Sequence, residues 1–205
     1  MKFEKLIKGK LVKRYKRFLE ENCDVWVSFH NNPKRKLKYT LELTKIEENL
    51  ICTNTGVANK IAIEAIENGF IKELQGYDYL KPEQKYGQNS RIDIFLENQN
   101  QKCYVEVKSV SLKIDDTLAF PDSVTSRGTK HLNELCDMVE QGHRAVMLYV
   151  VQRTDDLPFR LACEIDKKYC EAFKEVRKKG VEVLVYQSSI NYETISINKR
   201  LDLQI

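Results

Sequence analysis

The sequence has no apolar run approaching the roughly 18 residues that a membrane-spanning helix needs. Its opening stretch, MKFEKLIKGKLVKRYKRF, lacks the uninterrupted apolar centre of a secretion signal. Neither a membrane span nor export is expected, and a cytoplasmic location follows. The six cysteines, Cys23, Cys52, Cys103, Cys136, Cys163 and Cys170, are scattered among apolar neighbours with no CxxC spacing. That excludes the usual patterns of a zinc site or a redox dithiol, and reduced, mostly buried thiols are expected. No internal repeat or low-complexity segment is present.

What remains is an ordinary globular composition. The chain has 205 residues and is 42% hydrophobic, enough for one substantial core, or one core with a small satellite. The net charge of +4 is unevenly spread. Residues 1–40 hold 12 Lys or Arg against 4 Asp or Glu, so the rest of the chain is net acidic. The basic clusters KGKLVKRYKRF and NNPKRKLKY are interleaved with Tyr15, Phe18 and Tyr39. Such clusters suit a polyanion, because cations release counterions from phosphates and aromatic rings stack on bases. A solvated surface or a docking face for a partner would look the same.

The period of the apolar residues divides the chain near Val57. Before it, GKLVKRYKRFLE, DVWVSF, KYTLELTKIE and NLICTN read as short strands separated by polar turns. After it, Ile61, Ala62, Ala65 and Ile66 mark a short helix that stops at Gly69. QKYG, RIDIFLE and KCYVEVKSVSL read as strands, the last two forming a hairpin across NQNQ. TKHLNELCDMVEQG places Leu132, Leu135, Met138 and Val139 on one helical face and ends at Gly142. RAVMLYVVQ reads as a strand buried on both faces. DKKYCEAFKEVRKKG is a helix with Asp166 as N-cap and Gly180 after its basic last turn, and VEVLVY is the closing strand. The expected domains are 1–57, small and β-rich, and 58–205, a mixed α/β sheet flanked by helices.

Chemistry is expected on the hairpin. Alternation along CYVEVKSVSL puts Glu106 and Lys108 on one face and Cys103, Val105 and Val107 on the other. In RIDIF, Asp93 opposes Ile92 and Ile94, so Asp93, Glu106 and Lys108 converge on a single face. Two carboxylates offer hard oxygen ligands to Mg²⁺ or Mn²⁺, and a neighbouring ammonium orients a water or offsets charge on a phosphoryl transition state. A cross-strand salt bridge with no chemistry would use the same residue types.

Asp93, twelve intervening residues, then Glu-x-Lys resembles the motif of PD-(D/E)xK nucleases, whose cores share this α-β-β-β-α-β order. The blocks LVKRYKRFLE, NPKRKLKYTLEL, ELQGYDYL, KYGQNSRIDIFL, CYVEVKSVSL, AFPDSVTSRGTKHLNEL, GHRAVMLYVVQR, EIDKKY and GVEVLVY are together similar to the sugar fermentation stimulation protein A family. The resemblance implies a restriction-endonuclease-like α/β domain, a small OB-like domain and DNA binding. It carries the catalytic positions onto Asp93, Glu106 and Lys108. Glu64 matches the acidic residue of the preceding helix, a third ligand for Mg²⁺ or Mn²⁺ beside Asp93 and Glu106; on spacing alone an exposed helix glutamate is the plain alternative. Arg127 and Lys130, with Asp122 and His131 in the same stretch, lie where a phosphate would be held; a surface histidine is the plain alternative for His131. The nucleic-acid contacts expected of the basic N-terminus are Lys13, Arg14, Lys16, Arg17, Lys34, Arg35 and Lys36. Only Glu20 to Asn32 separate YKRFL from PKRKL, where the family has a longer insertion, so the OB-like domain is expected to be abbreviated. The implied function is DNA binding with a metal-dependent phosphodiesterase site. The alternative is non-catalytic DNA binding that regulates sugar metabolism of the maltose type. Beyond nucleic acid, the expected partner is a second copy of the chain, as a homodimer.

Overall fold

The computed structural model describes residues 1–13, 21–87 and 90–204. Four strands, β1 (Leu6–Lys10), β2 (Asp24–Phe29), β3 (Tyr39–Ile46) and β4 (Asn49–Cys52), form an antiparallel sheet in sequence order. A register shift between Trp26 and Val27 breaks strict alternation, and Val25 and Trp26 are both buried as a result. Helix α1 (Gly56–Glu67) follows and buries Val57, Ile61 and Ala65 together with Ala58, Ala62 and Ile66. It starts five residues before the Ile61 that reveals its period, because Val57 and Ala58 already belong to the apolar stripe.

The main sheet contains β5 (Tyr79–Tyr86), β6 (Ser90–Glu97), β7 (Lys102–Val110), β10 (Arg144–Val151), β12 (Glu182–Ile190) and β13 (Ile195–Arg200), in the order β13-β12-β10-β7-β6-β5. Strands β7, β10 and β12 are parallel at the centre, and β6, β5 and β13 run antiparallel to their neighbours. The β6–β7 hairpin turns on Asn98, whose Oδ1 accepts from the backbone N–H groups of Asn100 and Gln101.

Each face of the sheet is covered. Val146, Leu148 and Val150 of β10 join Ile94, Val105, Ile61 and Ala65 in one core, on the α1 side. Ala145, Met147, Tyr149 and Val151 join a second core with α2 (Ser126–Glu140) and α3 (Lys167–Lys178). That double burial is why β10 reads as an unbroken apolar run. Helices α2 and α3 stop ahead of Gly142 (φ 83°) and Gly180 (φ 109°), in the left-handed region where glycine carries no Cβ penalty. Asp166 caps α3 by accepting from Tyr169 N–H at 3.0 Å.

A third small sheet, β14-β11-β9-β8, was not expected. It joins β8 (Leu112–Ile114), β9 (Thr117–Phe120), β11 (Phe159–Leu161) and β14 (Leu203–Gln204). Strands of two to four residues are too short to show a period. The cysteine expectation is corrected at one pair: Cys163 and Cys170 form a disulfide across the turn into α3. Their spacing of seven residues matches no dithiol motif, so the sequence carried no sign of it. The other four cysteines are free, and burial pushes the Cys52 and Cys103 thiols up to about 12.

Gln152, fully buried just past β10, ties the N-terminal sheet to the main one. Its backbone bonds Val110 and Cys52, and its side chain donates to Cys52 O at 3.2 Å while accepting from Ser109 Oγ at 3.2 Å. Replacing Gln152 by Ala keeps the backbone bonds but removes the side-chain donor to buried Cys52 O and the acceptor of Ser109 Oγ. Urea denaturation of Gln152→Ala is expected to show a loss of about 1–3 kcal/mol.

Candidate functional site

The antiparallel pairing of β6 with β7 runs from Glu97↔Lys102 to Ile94↔Val105 and stops there. One step further would set Asp93 directly opposite Glu106, two carboxylates across a strand pair, an arrangement that repels. The strands part instead. Asp93 turns into the gap, where its Oδ2 accepts from Val107 N–H at 2.8 Å and its Oδ1 accepts from Asn59 Nδ2 of α1 at 2.8 Å. The side chain thus takes over the hydrogen bond that the ladder relinquishes. On the other side of β6, Glu83, between the Pro82↔Ile94 and Gln84↔Ile92 pairs, has left-handed backbone at φ 56°.

Glu106 lies at the centre of the sheet, 2% exposed, beneath the first turns of α2. Its Oε1 accepts from Lys108 Nζ at 2.7 Å and from His131 Nδ1. Lys108 Nζ lies 3.3 Å from the same ring nitrogen, and Arg127 Nε donates to His131 Nε2 at 3.3 Å. Glu106 Oε2 is buried and has no hydrogen-bond partner. Burial works to raise the Glu106 carboxyl, but the His131 hydrogen bond and the Lys108 charge outweigh it and hold the group below its ordinary value. Asp93 goes the other way: burial, then the Glu106 charge, raises it. Tyr86, raised by burial and by the neighbouring charges of Glu106 and Glu134, stays a neutral phenol beside them.

A cleft of about 370 Å³ opens beside this cluster, with Asn59, Lys108, Ser109, Asp122, Thr125 and Arg127 among its lining residues; Asp93, Glu106 and His131 are not among them. Its α2 wall is set by a cap and a close approach. Thr125 Oγ1 accepts from Gly128 N–H at 3.0 Å, and the Thr125 N–H donates to Asp166 Oδ2 at 2.8 Å. A Cβ on Gly128 would fall 2.8 Å from Thr125 Cγ2 and 3.1 Å from the Tyr169 ring. Only glycine lets the first turn of α2 pack this tightly on α3.

The structure brings Asp93, Glu106, Lys108, Arg127 and His131 together. Glu64 is not among them. It is exposed on α1 and pairs with the Met1 amino group at 2.5 Å. The α1 residue that reaches Asp93 is Asn59, five positions earlier and therefore about 7.5 Å away along the helix axis. His131 is 6% exposed rather than a surface residue. Lys130 is exposed and pairs with Glu134 at 3.5 Å. Glu134, missed in the sequence, is buried and accepts from Ser90 Oγ at 2.5 Å, anchoring the start of β6. The available signal was the α2 stripe, where His131 and Glu134 share a face with Leu135 and Met138. No group of three or more His, Cys, Asp or Glu side chains able to hold a metal occurs among the described residues.

Of the basic N-terminal residues, Lys13, Lys34, Arg35 and Lys36 are exposed, the last three in the β2–β3 loop. Arg14, Lys16 and Arg17 lie outside the described residues. Lys8 and Lys10 both pair with Asp24, at 2.9 and 2.7 Å. None of the described helices is long and apolar enough to cross a membrane.

A family profile described as the sugar fermentation stimulation protein RE domain matches residues 56–194. The chain belongs to the sugar fermentation stimulation protein (SfsA) family. The SfsA N-terminal OB domain matches residues 14–53. A sugar fermentation stimulation protein homolog of Marinomonas sp. is 48% identical, over 94% of this chain and 85% of its own length. A homolog of Pseudoalteromonas atlantica is 44% identical, over 98% of each chain. A solved structure of Pyrococcus furiosus SfsA in complex with Ca²⁺ superposes with a TM-score of 0.88, covering 100% of this chain and 98% of that one. At 22% identity that likeness shows the fold. The SfsA fold is accordingly a mixed α/β sheet flanked by helices, with a β-rich OB domain at its N-terminus.

The opposite shifts of Asp93 and Glu106 give the site a pH signature. With Asp93 raised, the native state binds more protons than the unfolded state from the ordinary value of 3.8 up to the raised one, so stability falls as pH rises through that window. Glu106, lowered, contributes stability above its ordinary 4.5 that is lost as pH falls. In metal-free buffer Asp93→Asn should therefore gain stability relative to the wild type as pH is raised through the acidic range. Denaturation at a series of pH values measures this, and a difference independent of pH would contradict it.

Proposed function

We propose that the cleft beside the β6–β7 hairpin is a divalent-metal-dependent phosphodiesterase site acting on nucleic acid, with DNA the preferred substrate. The observation that carries this reading is the pairing of Asp93 and Glu106 next to Lys108, with Glu106 Oε2 buried and free of any partner. A buried carboxylate oxygen without a donor is costly unless something positive completes it.

The donor set fits a hard cation. Mg²⁺ and Mn²⁺ take oxygen ligands, and Mg²⁺ keeps several waters while accepting only one or two protein carboxylates. Asp93 and Glu106 are the residues that would hold it. The description of the Pyrococcus furiosus relative as a Ca²⁺ complex supports a hard-cation site in this fold. When bound, the cation supplies positive charge to the phosphodiester oxygens as negative charge builds on them. Arg127, exposed at the cleft wall, offers a planar fork of donors to the same phosphate group. The Lys108 ammonium, at the cleft surface, orients the attacking water and offsets charge on the reacting phosphoryl group. Val107 N–H and Asn59 hold Asp93 in place, so the acidic pair stays ordered before substrate arrives.

A second reading, DNA binding without cleavage, is favoured by the β2–β3 loop. Lys34, Arg35 and Lys36 are exposed there, beside the exposed rings of Phe29 and Tyr39, whose centroids are 5.4 Å apart. Those rings offer bases a stacking surface and the cations offer phosphates a counter-charge.

Two measurements separate the readings. Digestion of DNA and RNA with Mn²⁺ should be slowed about 100-fold or more by Asp93→Ala, Glu106→Ala or Lys108→Met. Cleavage unchanged in the Asp93 and Glu106 variants would sink the phosphodiesterase assignment. Charge reversal at Lys34, Arg35 and Lys36 should weaken DNA binding and make log affinity less steep against log salt, by about 1 in slope for each phosphate no longer neutralised. The cleft residues are untouched in that variant.

A further inference from the structure

His131 is held from both sides of its ring. Arg127 Nε–H donates to Nε2 at 3.3 Å, and a guanidinium has no acceptor, so Nε2 is the bare nitrogen and Nδ1 carries the hydrogen. That Nδ1–H is directed at Glu106 Oε1, the same oxygen that Lys108 Nζ reaches at 2.7 Å. Two donors converge on one oxygen while Oε2, equally buried, receives none. Packing keeps the ring in this position: it is 6% exposed and lies on the α2 stripe with Leu135 and Met138.

We infer that His131 is a positioning residue, which pins Glu106 through Oε1 so that Oε2 is reserved for a divalent cation, and which ties that orientation to Arg127 at the cleft wall. The inference rests on the metal-site reading above. Lys108 cannot do this alone, because an ammonium on a four-carbon stem rotates freely and bridges both carboxylate oxygens when nothing else fixes the carboxylate. An imidazole held by packing at one end and by a guanidinium at the other has one direction for its N–H. The relation is that of a residue one step removed from the cation, whose loss weakens metal affinity without removing a ligand.

The test is calorimetric titration of the full-length protein with Mn²⁺, without nucleic acid, so that no cleavage assay enters. The wild type should bind and Glu106→Ala should not. His131→Ala should bind about 10- to 100-fold more weakly. His131→Asn, whose amide N–H stands near the Nδ1 position, should recover most of that loss, and melting temperatures taken in chelator should not follow the same order. Should His131→Ala fail to fold, His131→Gln replaces it, since its amide reaches toward Nε2 and not Nδ1, and the same loss is expected. Wild-type affinity in His131→Ala, or equal weakening in the Ala and Asn variants, overturns the positioning role while leaving the metal site standing. Absence of Glu106-dependent Mn²⁺ binding in the wild type removes the metal site itself, and this inference with it.

Discussion

The site depends on a strand ladder that ends one residue early. Had β6 and β7 stayed paired past Ile94 and Val105, Asp93 and Glu106 would face each other across the hairpin at like charge. Parting the strands relieves this, but it leaves Val107 N–H without a backbone acceptor. The Asp93 carboxylate fills that role, and Asn59 of α1 secures its second oxygen. One compensation therefore fixes three things together: the position of the first acid, the width of the gap beside it, and the contact between α1 and the hairpin. The second acid needs no such arrangement, because Glu106 sits mid-strand in β7, paired with Met147 of β10, and its carboxylate is oriented by side chains.

The two carboxylates end in opposite electrostatic states for reasons visible in their neighbours. Asp93 accepts from neutral donors and feels the Glu106 charge, so burial dominates and the acid is raised. Glu106 is more deeply buried yet lowered, because Lys108 and His131 both serve it. Environments that push two acids apart are common where the pair shares a chemical task, although structural ion pairs produce the same pattern. What distinguishes this pair is the oxygen left over. Lys108 and His131 both reach Oε1, and Oε2 is left buried without a hydrogen-bond partner.

Much of this geometry was legible in the sequence where a residue's period was long enough to read. The unbroken run of β10, the hairpin across NQNQ and the Asp166 cap all follow from patterns of eight residues or more, or from a single strong local preference. Glu106 and Lys108 were legible for the same reason, since alternation along β7 fixes their side of the sheet. Alternation failed at Asp93, which leaves its face for the gap, because side-chain parity describes a continuous ladder and this one stops. It failed differently at Glu64. An acid on the helix before the hairpin has the right chemistry, but its place on α1 turns it to the Met1 amino group, and the position that meets Asp93 holds an asparagine. Glu134 was hidden among Leu132, Leu135 and Met138; His131, singled out by its stretch rather than by its period, is buried on the same stripe, where polar residues on an apolar face are the informative ones.

The charge of the N-terminal region and the chemistry of the cleft act over different distances, and the fold keeps them on different elements. Exposed cations of a loop such as Lys34 to Lys36 work through a field that salt screens beyond about 8–10 Å. Lys8 and Lys10 contribute less than a count of charges suggests, because Asp24 neutralises part of their field within the same sheet. The polar cluster around Glu106 works at hydrogen-bond range, through contacts made by Lys108, His131 and Arg127. The Asp93–Glu106–Lys108 geometry, set by the hairpin and by α2, does not depend on the charge of the N-terminal sheet.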